Sequence, residues 1–183
     1  MQIGISGSLA MMGPALSYAT AAKLAFPNRP AFALVGDGAM QMLGINALIT
    51  AAKYRRRWLD PRFVVAVLNN GDLNMVSWEL RALGGSPKLP ETQDVPPFDY
   101  AAFAELAGFT GLRISGPEEV RPALDRAFAA ERPVLIDVRA DPNVVALPPH
   151  TTFEQARQFF AALAKGDPDR IPVLKQLVKQ LAP

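Results

Sequence analysis

Apolar and polar positions along this chain of 183 residues fall into blocks with two different periods. The runs "AFALV" (31–35), "FVVAVL" (63–68) and "PVLIDVRA" (133–140) are short and apolar, which predicts buried strands, the continuous β-branched 63–68 one buried on both faces. "FTGLRI" (109–114) reads as a fourth strand. The stretches between them carry helical spacing. Residues 12–26 are Ala-rich and stop at the Pro-Asn-Arg-Pro of 27–30. Residues 40–57 place Met42, Ile45, Leu48, Ile49 and Ala52 on one expected apolar face. Helices are also predicted over 75–83, over 98–108 with a stop at Gly108, and over 115–130, where Ser115 and Glu118 stand in capping-box spacing. Residues 69–74 and the Gly- and Pro-rich 84–97 read as loops, and the tail turns helical again over 152–164 and 169–181. Helices and strands alternating in this order predict an α/β fold, a doubly wound parallel sheet. The Pro-rich bends at 84–97 and 142–149 read as loops, not linkers, so 1–183 is expected to be a single domain with a helical tail at 149–183.

Composition narrows the picture. Half the residues are hydrophobic and a fifth are charged, the balance of a globular domain. The formal net charge is only +2. The densest basic run, "KYRRRW" (53–58), reads as the solvated end of a helix, where cations suit the macrodipole. No aromatic-interleaved basic surface accompanies it, so nucleic acid is not an expected partner. The chain has no cysteine, which removes disulfides, thiolate-bound zinc and thiol catalysis, and fits a cytoplasmic protein. No run reaches the ~20 apolar residues of a membrane span. The opening "MQIGISGSLAMMG" lacks the basic start of a signal peptide. Gly4, Gly7 and Gly13 among apolar residues give it the look of mid-loop sequence, so a fragment or one subunit of a larger assembly is expected.

The candidate chemistry lies at two strand ends. The first strand delivers Gly36-Asp37-Gly38 and the second delivers Asn69-Asn70. In an open parallel sheet, ligands bind beyond the carboxyl ends of the strands. A buried carboxylate is costly unless a cation meets it. Oxygen donors without Cys or His suit a hard cation, magnesium or calcium, and magnesium usually carries substrate phosphates. The glycines let backbone N–H groups approach those phosphates, and the helix beginning near Met40 aims its N-terminus at them. The residues alone point to a magnesium-bridged diphosphate. Taken singly, Gly-Asp-Gly and Asn-Asn-Gly are also ordinary turn sequences.

Gly36-Asp37-Gly38, thirty intervening residues and Asn69-Asn70 resemble the thiamine-diphosphate fingerprint GDG…NN. The flanks extend the likeness. "SGSLAMMGPALSYATAAK" and "FAELAGFTGLRISGPEEVRPALDRAFAAERPVLIDV" resemble the opening and closing regions of the thiamine-diphosphate-binding, C-terminal domain of the pyruvate oxidase and acetolactate synthase family. "LPPHTTFEQARQFF" resembles the tail of the pyruvate oxidase branch, including quinone-linked pyruvate dehydrogenases. The likeness covers nearly all of the chain but only the C-terminal third of such enzymes, without their pyrimidine-binding and middle domains.

The resemblance implies the three-layer, doubly wound thiamine diphosphate-binding fold, and thiamine diphosphate with Mg2+ as cofactors. Asp37, Asn70 and the backbone carbonyl of Asp72 would hold the metal. Gly36, Gly38 and Ala39 would contact the diphosphate by their backbone, Met12 would prop the bent thiamine, and Ala10 would lie beside the pyrimidine. Met75 matches a hydrophobic residue after the Asn-Asn loop. Asn74 stands where the family usually has glycine, which implies a backbone near positive φ, a region Asn tolerates best among ordinary residues.

The implied function is binding of thiamine diphosphate and magnesium within an enzyme that decarboxylates a 2-oxo acid such as pyruvate. The chain alone would be inactive, because the activating glutamate belongs to a pyrimidine-binding domain of the same or another chain. FAD belongs to some full-length members, and a homo-oligomer is expected. Alternatives are a natural β-type subunit of a split enzyme, an acetolactate synthase-like carboligase, and a non-enzymatic remnant, against which Asp37 and Asn70 speak. Trp78 and Glu79 are substrate-side candidates, and His150 is read as exposed in a Pro-rich turn. The tail's Phe153, Phe159, Phe160, Leu174, Leu177, Val178 and Leu181 are expected to pack on protein rather than meet a membrane.

Overall fold

The structure, a computed structural model, describes residues 11–145 and 151–181. In chain order its elements are α1 (Ala15–Ala25), β1 (Ala31–Gly36), α2 (Asp37–Ala39), a π-helical turn (Met40–Gly44), α3 (Ile45–Tyr54) and β2 (Phe63–Asn69). There follow α4 (Asn74–Ala82), α5 (Pro90–Gln93), α6 (Tyr100–Leu106), β3 (Thr110–Ile114), α7 (Val120–Ala129), β4 (Val134–Arg139), α8 (Phe153–Ala164) and α9 (Arg170–Leu181). They group into two compact units, residues 1–69 with 97–140 and residues 70–96 with 141–183.

The first unit holds a four-stranded sheet in the order β1-β2-β4-β3, with every pairing parallel. β2 lies between two neighbours, and all its residues but Leu68 are buried, as its β-branched run requires. Period-2 alternation sends its side chains to two apolar clusters. Phe63, Val65 and Val67 pack with Leu16 of α1, Leu48 of α3, and Tyr100 and Ala104 of α6. Val64 packs with Leu112, Ile114, Val134, Ile136 and the Ala123 and Ala127 of α7. Phe32 and Leu34 of β1 alternate with the buried Ala33 and Val35 and remain exposed.

Two sequence expectations change here. Residues 40–57 bury only part of the expected stripe: Leu48 is core and Ile45 and Ala52 pack against it, but Met42 and Ile49 are 50% and 53% exposed. The buried residues are Met40, Gly44, Ala47, Leu48 and Ala51. A Cβ at Gly44 would meet the buried Met40 side chain, so Gly44, Ala47 and Ala51 pack closely beside Met40 and Leu48 while Met42 and Ile49 stay outside. The capping interaction before α7 uses Glu119, not Glu118. Its Oε2 accepts from the N–H groups of Ser115 and Gly116 at 2.6 and 3.3 Å.

The basic run is only partly a solvated helix end. Arg56 and Arg57 are exposed, but Trp58 is buried and stacks on Phe63, while Arg55 Nη1 donates to the Gly108 carbonyl at 2.8 Å. Lys23, at the end of α1, is buried and donates to the carbonyls of Arg29 and Asp60, both at 2.6 Å.

The second unit builds its own core from Ala82, Val145, Phe159, Leu163, Val173 and Leu177, with Trp78 against it. Of the tail residues named above, Phe159 and Leu177 are core, whereas Phe153, Phe160, Leu174 and Val178 are exposed. Among the described residues no helix is long and apolar enough to cross a membrane. Residues 84–97, read as a loop, contain the single turn α5 and are tied down by ion pairs described below.

Candidate functional site

In the first unit, β1 and β2 run parallel with Gly36 opposite Leu68, so the Gly-Asp-Gly turn and Asn69 leave the sheet at neighbouring carboxyl ends. Asp37 begins the helical run and is 3% exposed. Its Oδ1 accepts from the Gly38 N–H at 2.8 Å, so that donor already has a partner. The Asp37 carbonyl accepts from the Tyr100 hydroxyl at 3.2 Å, and that hydroxyl accepts from Gln41 Nε2 at 3.0 Å. Burial raises the Tyr100 pKa; the Gln41 hydrogen bond opposes this and the Asp37 charge adds to it. The phenol therefore stays a donor across the neutral range, and α6 holds the turn by a single hydroxyl.

Asn69 is buried and its Nδ2 donates to Asp137 Oδ1 of β4 at 2.8 Å. Asp137 is fully buried, and its Oδ2 has no hydrogen-bond partner. Arg139 and Arg113 stand 3.8 and 4.0 Å from it. This carboxylate orients the first asparagine of the pair.

Gly36 faces open space, with no heavy atom within 4 Å of where its Cβ would be. It lines a groove of about 790 Å³ between α1 and β1, together with Met11, Gly13 and Ala39. Gly13 has φ +97°, and a Cβ there would stand 3.2 Å from the Ala39 carbonyl oxygen. A glycine is needed at that approach. Met12, next to it, is 43% exposed. Ala10 and His150 lie outside the described residues.

In the second unit, Asn70 Oδ1 accepts from the Asp72 N–H at 3.0 Å across Gly71, whose φ is +71°. That bond sets the direction of the amide oxygen, which can accept a second partner. Both oxygens of the Asp72 carboxylate have partners. Lys88 Nζ is 2.9 Å from Oδ1, Ser77 Oγ donates to Oδ1 at 2.9 Å, and Asn74 Nδ2 donates to Oδ2 at 3.2 Å.

Asn74 departs from expectation. Among the described residues no non-glycine has positive φ, and Asn74 opens α4. Its side chain bridges Asp72 and the Pro142 carbonyl, at 2.6 Å from the latter. The helical start sets its backbone, so left-handed tolerance is not what that position uses. Met75 is 60% exposed, Trp78 is half-buried against the unit's core, and Glu79 is exposed.

Sequence reasoning missed Tyr100, Gln41, Asp137, Ser77 and Lys88. Asp137 had a signal, a lone carboxylate inside an apolar strand. The others had none, because their partners are set by packing across the chain.

Each unit offers oxygen donors of the kind a hard cation takes: the buried Asp37 carboxylate in the first, and the Asn70 amide oxygen in the second. The opening beside Gly36 leaves room for a group larger than water.

Residues 2–138 match the family model of the thiamine pyrophosphate enzyme, C-terminal TPP binding domain. The chain belongs to this family. It is 35% identical over 97% of its length to the "Putative thiamine pyrophosphate-containing protein YdaP" of Bacillus subtilis, covering 30% of that protein. It is 35% identical over 76% of its length to the acetolactate synthase large subunit IlvG of Mycobacterium tuberculosis, covering 24% of it. Among solved structures, the thiamine diphosphate-dependent 4-hydroxybenzoylformate decarboxylase of Rhodococcus jostii RHA1 matches with a TM-score of 0.61 at 35% identity. That match covers 71% of this chain and 23% of that one. This thiamine pyrophosphate-binding family member thus spans less than a third of the relatives it matches.

Proposed function

We propose that the chain is the thiamine diphosphate- and magnesium-binding part of an enzyme that decarboxylates a 2-oxo acid of the pyruvate class. The observation that carries this reading is the delivery of Gly36-Asp37-Gly38 and Asn69 at adjacent parallel strand ends, with Asp37 buried there. Asp37 and the Asn70 amide oxygen are the side-chain metal ligands and the Asp72 carbonyl the main-chain one. Gly36, Gly38 and Ala39 would line the diphosphate with their main chain. Ala10, Met12, Asn74 and Met75 border the thiamine side. When bound, thiamine diphosphate supplies an electron sink for the pair left as carbon dioxide departs. The chain's own share is to bind, orient and neutralise. The parallel sheet, with helices against both apolar clusters, is read as the core of a three-layer, doubly wound fold. A pyrimidine-binding domain, from the same or another chain of a homo-oligomer, completes the site, and FAD would belong to the longer protein.

Titration calorimetry tests the reading. Thiamine diphosphate should bind the chain with a saturable heat that requires Mg2+, and Asp37→Ala should weaken it at least tenfold, about 1.4 kcal/mol. Equal heats from both proteins would overturn the proposal. The chain alone, given both cofactors and pyruvate, should release no carbon dioxide.

A further inference from the structure

Lys88 sits in the segment that reads as featureless loop, yet its side chain is 7% exposed and meets three carboxylates. Its Nζ lies 2.9 Å from Asp72, 2.7 Å from Asp94 and 3.5 Å from Asp169. The main chain beside these carboxylates is paired too. The Leu73 N–H donates to the Gln93 carbonyl at 2.8 Å and the Val95 N–H to the Gly71 carbonyl at 2.9 Å. Asp72 and Asp94 face each other in an antiparallel bridge. Two carboxylates held face to face repel unless a cation lies between them. Lys88 is that cation.

The anchor is itself anchored. The Lys88 N–H donates to Asp167 Oδ2 at 2.8 Å, and Arg81 of α4 grips the same carboxylate through Nε and Nη2, both at 2.8 Å. The end of α4 and the α8–α9 junction therefore meet at Lys88, which reaches the turn 70–73 through Asp72.

We infer that Lys88 is a positioning residue for the metal-binding turn. By clamping Asp72 to Asp94 it fixes the Asn70 amide oxygen and the Asp72 carbonyl in the geometry a divalent cation needs. This rests on the proposed magnesium and thiamine diphosphate site and assigns Lys88 no contact with either ligand. The clamp is electrostatic, so removing both charges should restore what removing one destroys.

The test uses the full chain with Lys88→Met and with Lys88→Met combined with Asp72→Asn. Amide hydrogen exchange without ligand should quicken at least tenfold at Leu73 and Val95 in Lys88→Met, with Val65 and Val67 of β2 unchanged. In the double variant it should return towards wild type. Calorimetry should show the magnesium requirement for thiamine diphosphate rising at least tenfold in Lys88→Met and largely recovering in the double variant, at a temperature where circular dichroism shows both folded. Unchanged exchange at Leu73 and Val95 overturns the inference. So does a loosened turn with wild-type magnesium dependence, which leaves Lys88 merely structural. If the wild-type chain takes up no cofactor, the proposed function fails, while the exchange arm still decides whether Lys88 holds the turn.

Discussion

Replacing Asp167 by alanine strands a buried guanidinium. The side chains of Arg81 and Asp167 are 5% and 0% exposed. Deleting one partner of a buried ion pair costs about 3–5 kcal/mol, because the other charge stays desolvated. Two features adjust that figure. Asp169 Oδ2 remains 3.1 Å from Arg81 Nη2, so the cation keeps one partner and the cost falls toward the lower end. The buried Lys88 N–H also loses its acceptor, at about 1–3 kcal/mol. The sum is about 4 kcal/mol, a large part of the ~5–15 kcal/mol that holds a domain. Urea unfolding reads it, followed by Trp78 fluorescence in a Trp58→Phe background, since Trp78 lies against the second unit's core. With a slope of about 2 kcal/mol/M, the midpoint should fall by about 2 M. A fall below about 0.5 M would refute the reasoning. The pH dependence follows the same pair. Burial pushes the Asp167 pKa up, but Arg81 and the Lys88 and Asp169 N–H groups outweigh it and hold the carboxyl below its ordinary 3.8. A carboxyl lowered on folding stabilises fully above its unfolded pKa, and this is lost as pH falls through the folded value. The stability gap between wild type and Asp167→Asn should therefore be constant near neutrality and close below about pH 4.

Gly111→Ala should destabilise the first unit by about 1–3 kcal/mol, because the new Cβ meets the main-chain carbonyl of Ala101, which cannot rotate away; a thermal melt equal to wild type would count against that packing. Tyr100→Phe should cost about 1 kcal/mol, since Gln41 and the Asp37 carbonyl lose their shared hydroxyl. The same variant should weaken magnesium-dependent cofactor binding in calorimetry, and full retention would show that Tyr100 does not steady the turn.

The parallel strands were legible in the chain because short apolar runs between turn residues need no partner to be seen, and the central one, buried on both faces, is apolar along 63–68. Asp37 and Asn70 were legible because glycines and asparagines at strand ends are local chemistry. The helical run read over 40–57 was legible as helix, and its orientation only in part: Leu48 is core, whereas Met42 and Ile49 are exposed. Hydrophobic spacing weighs large side chains, whereas close packing selected Gly44, Ala47 and Ala51. Asn74 misled for a related reason: a position occupied by glycine elsewhere suggests positive φ, yet here the start of α4 sets the backbone.

By itself, then, the sequence determined the α/β alternation and the two polar strand ends, because each depends on residues close along the chain. The tertiary structure alone decided what holds those ends in place. Tyr100 reaches Asp37 across 63 positions, Asp137 reaches Asn69 across 68, and Arg81 reaches Asp167 across 86. Such pairs leave no periodic trace. They contribute only once folding has met the entropy of closing the loops between them, and their identity follows from which backbones pack together.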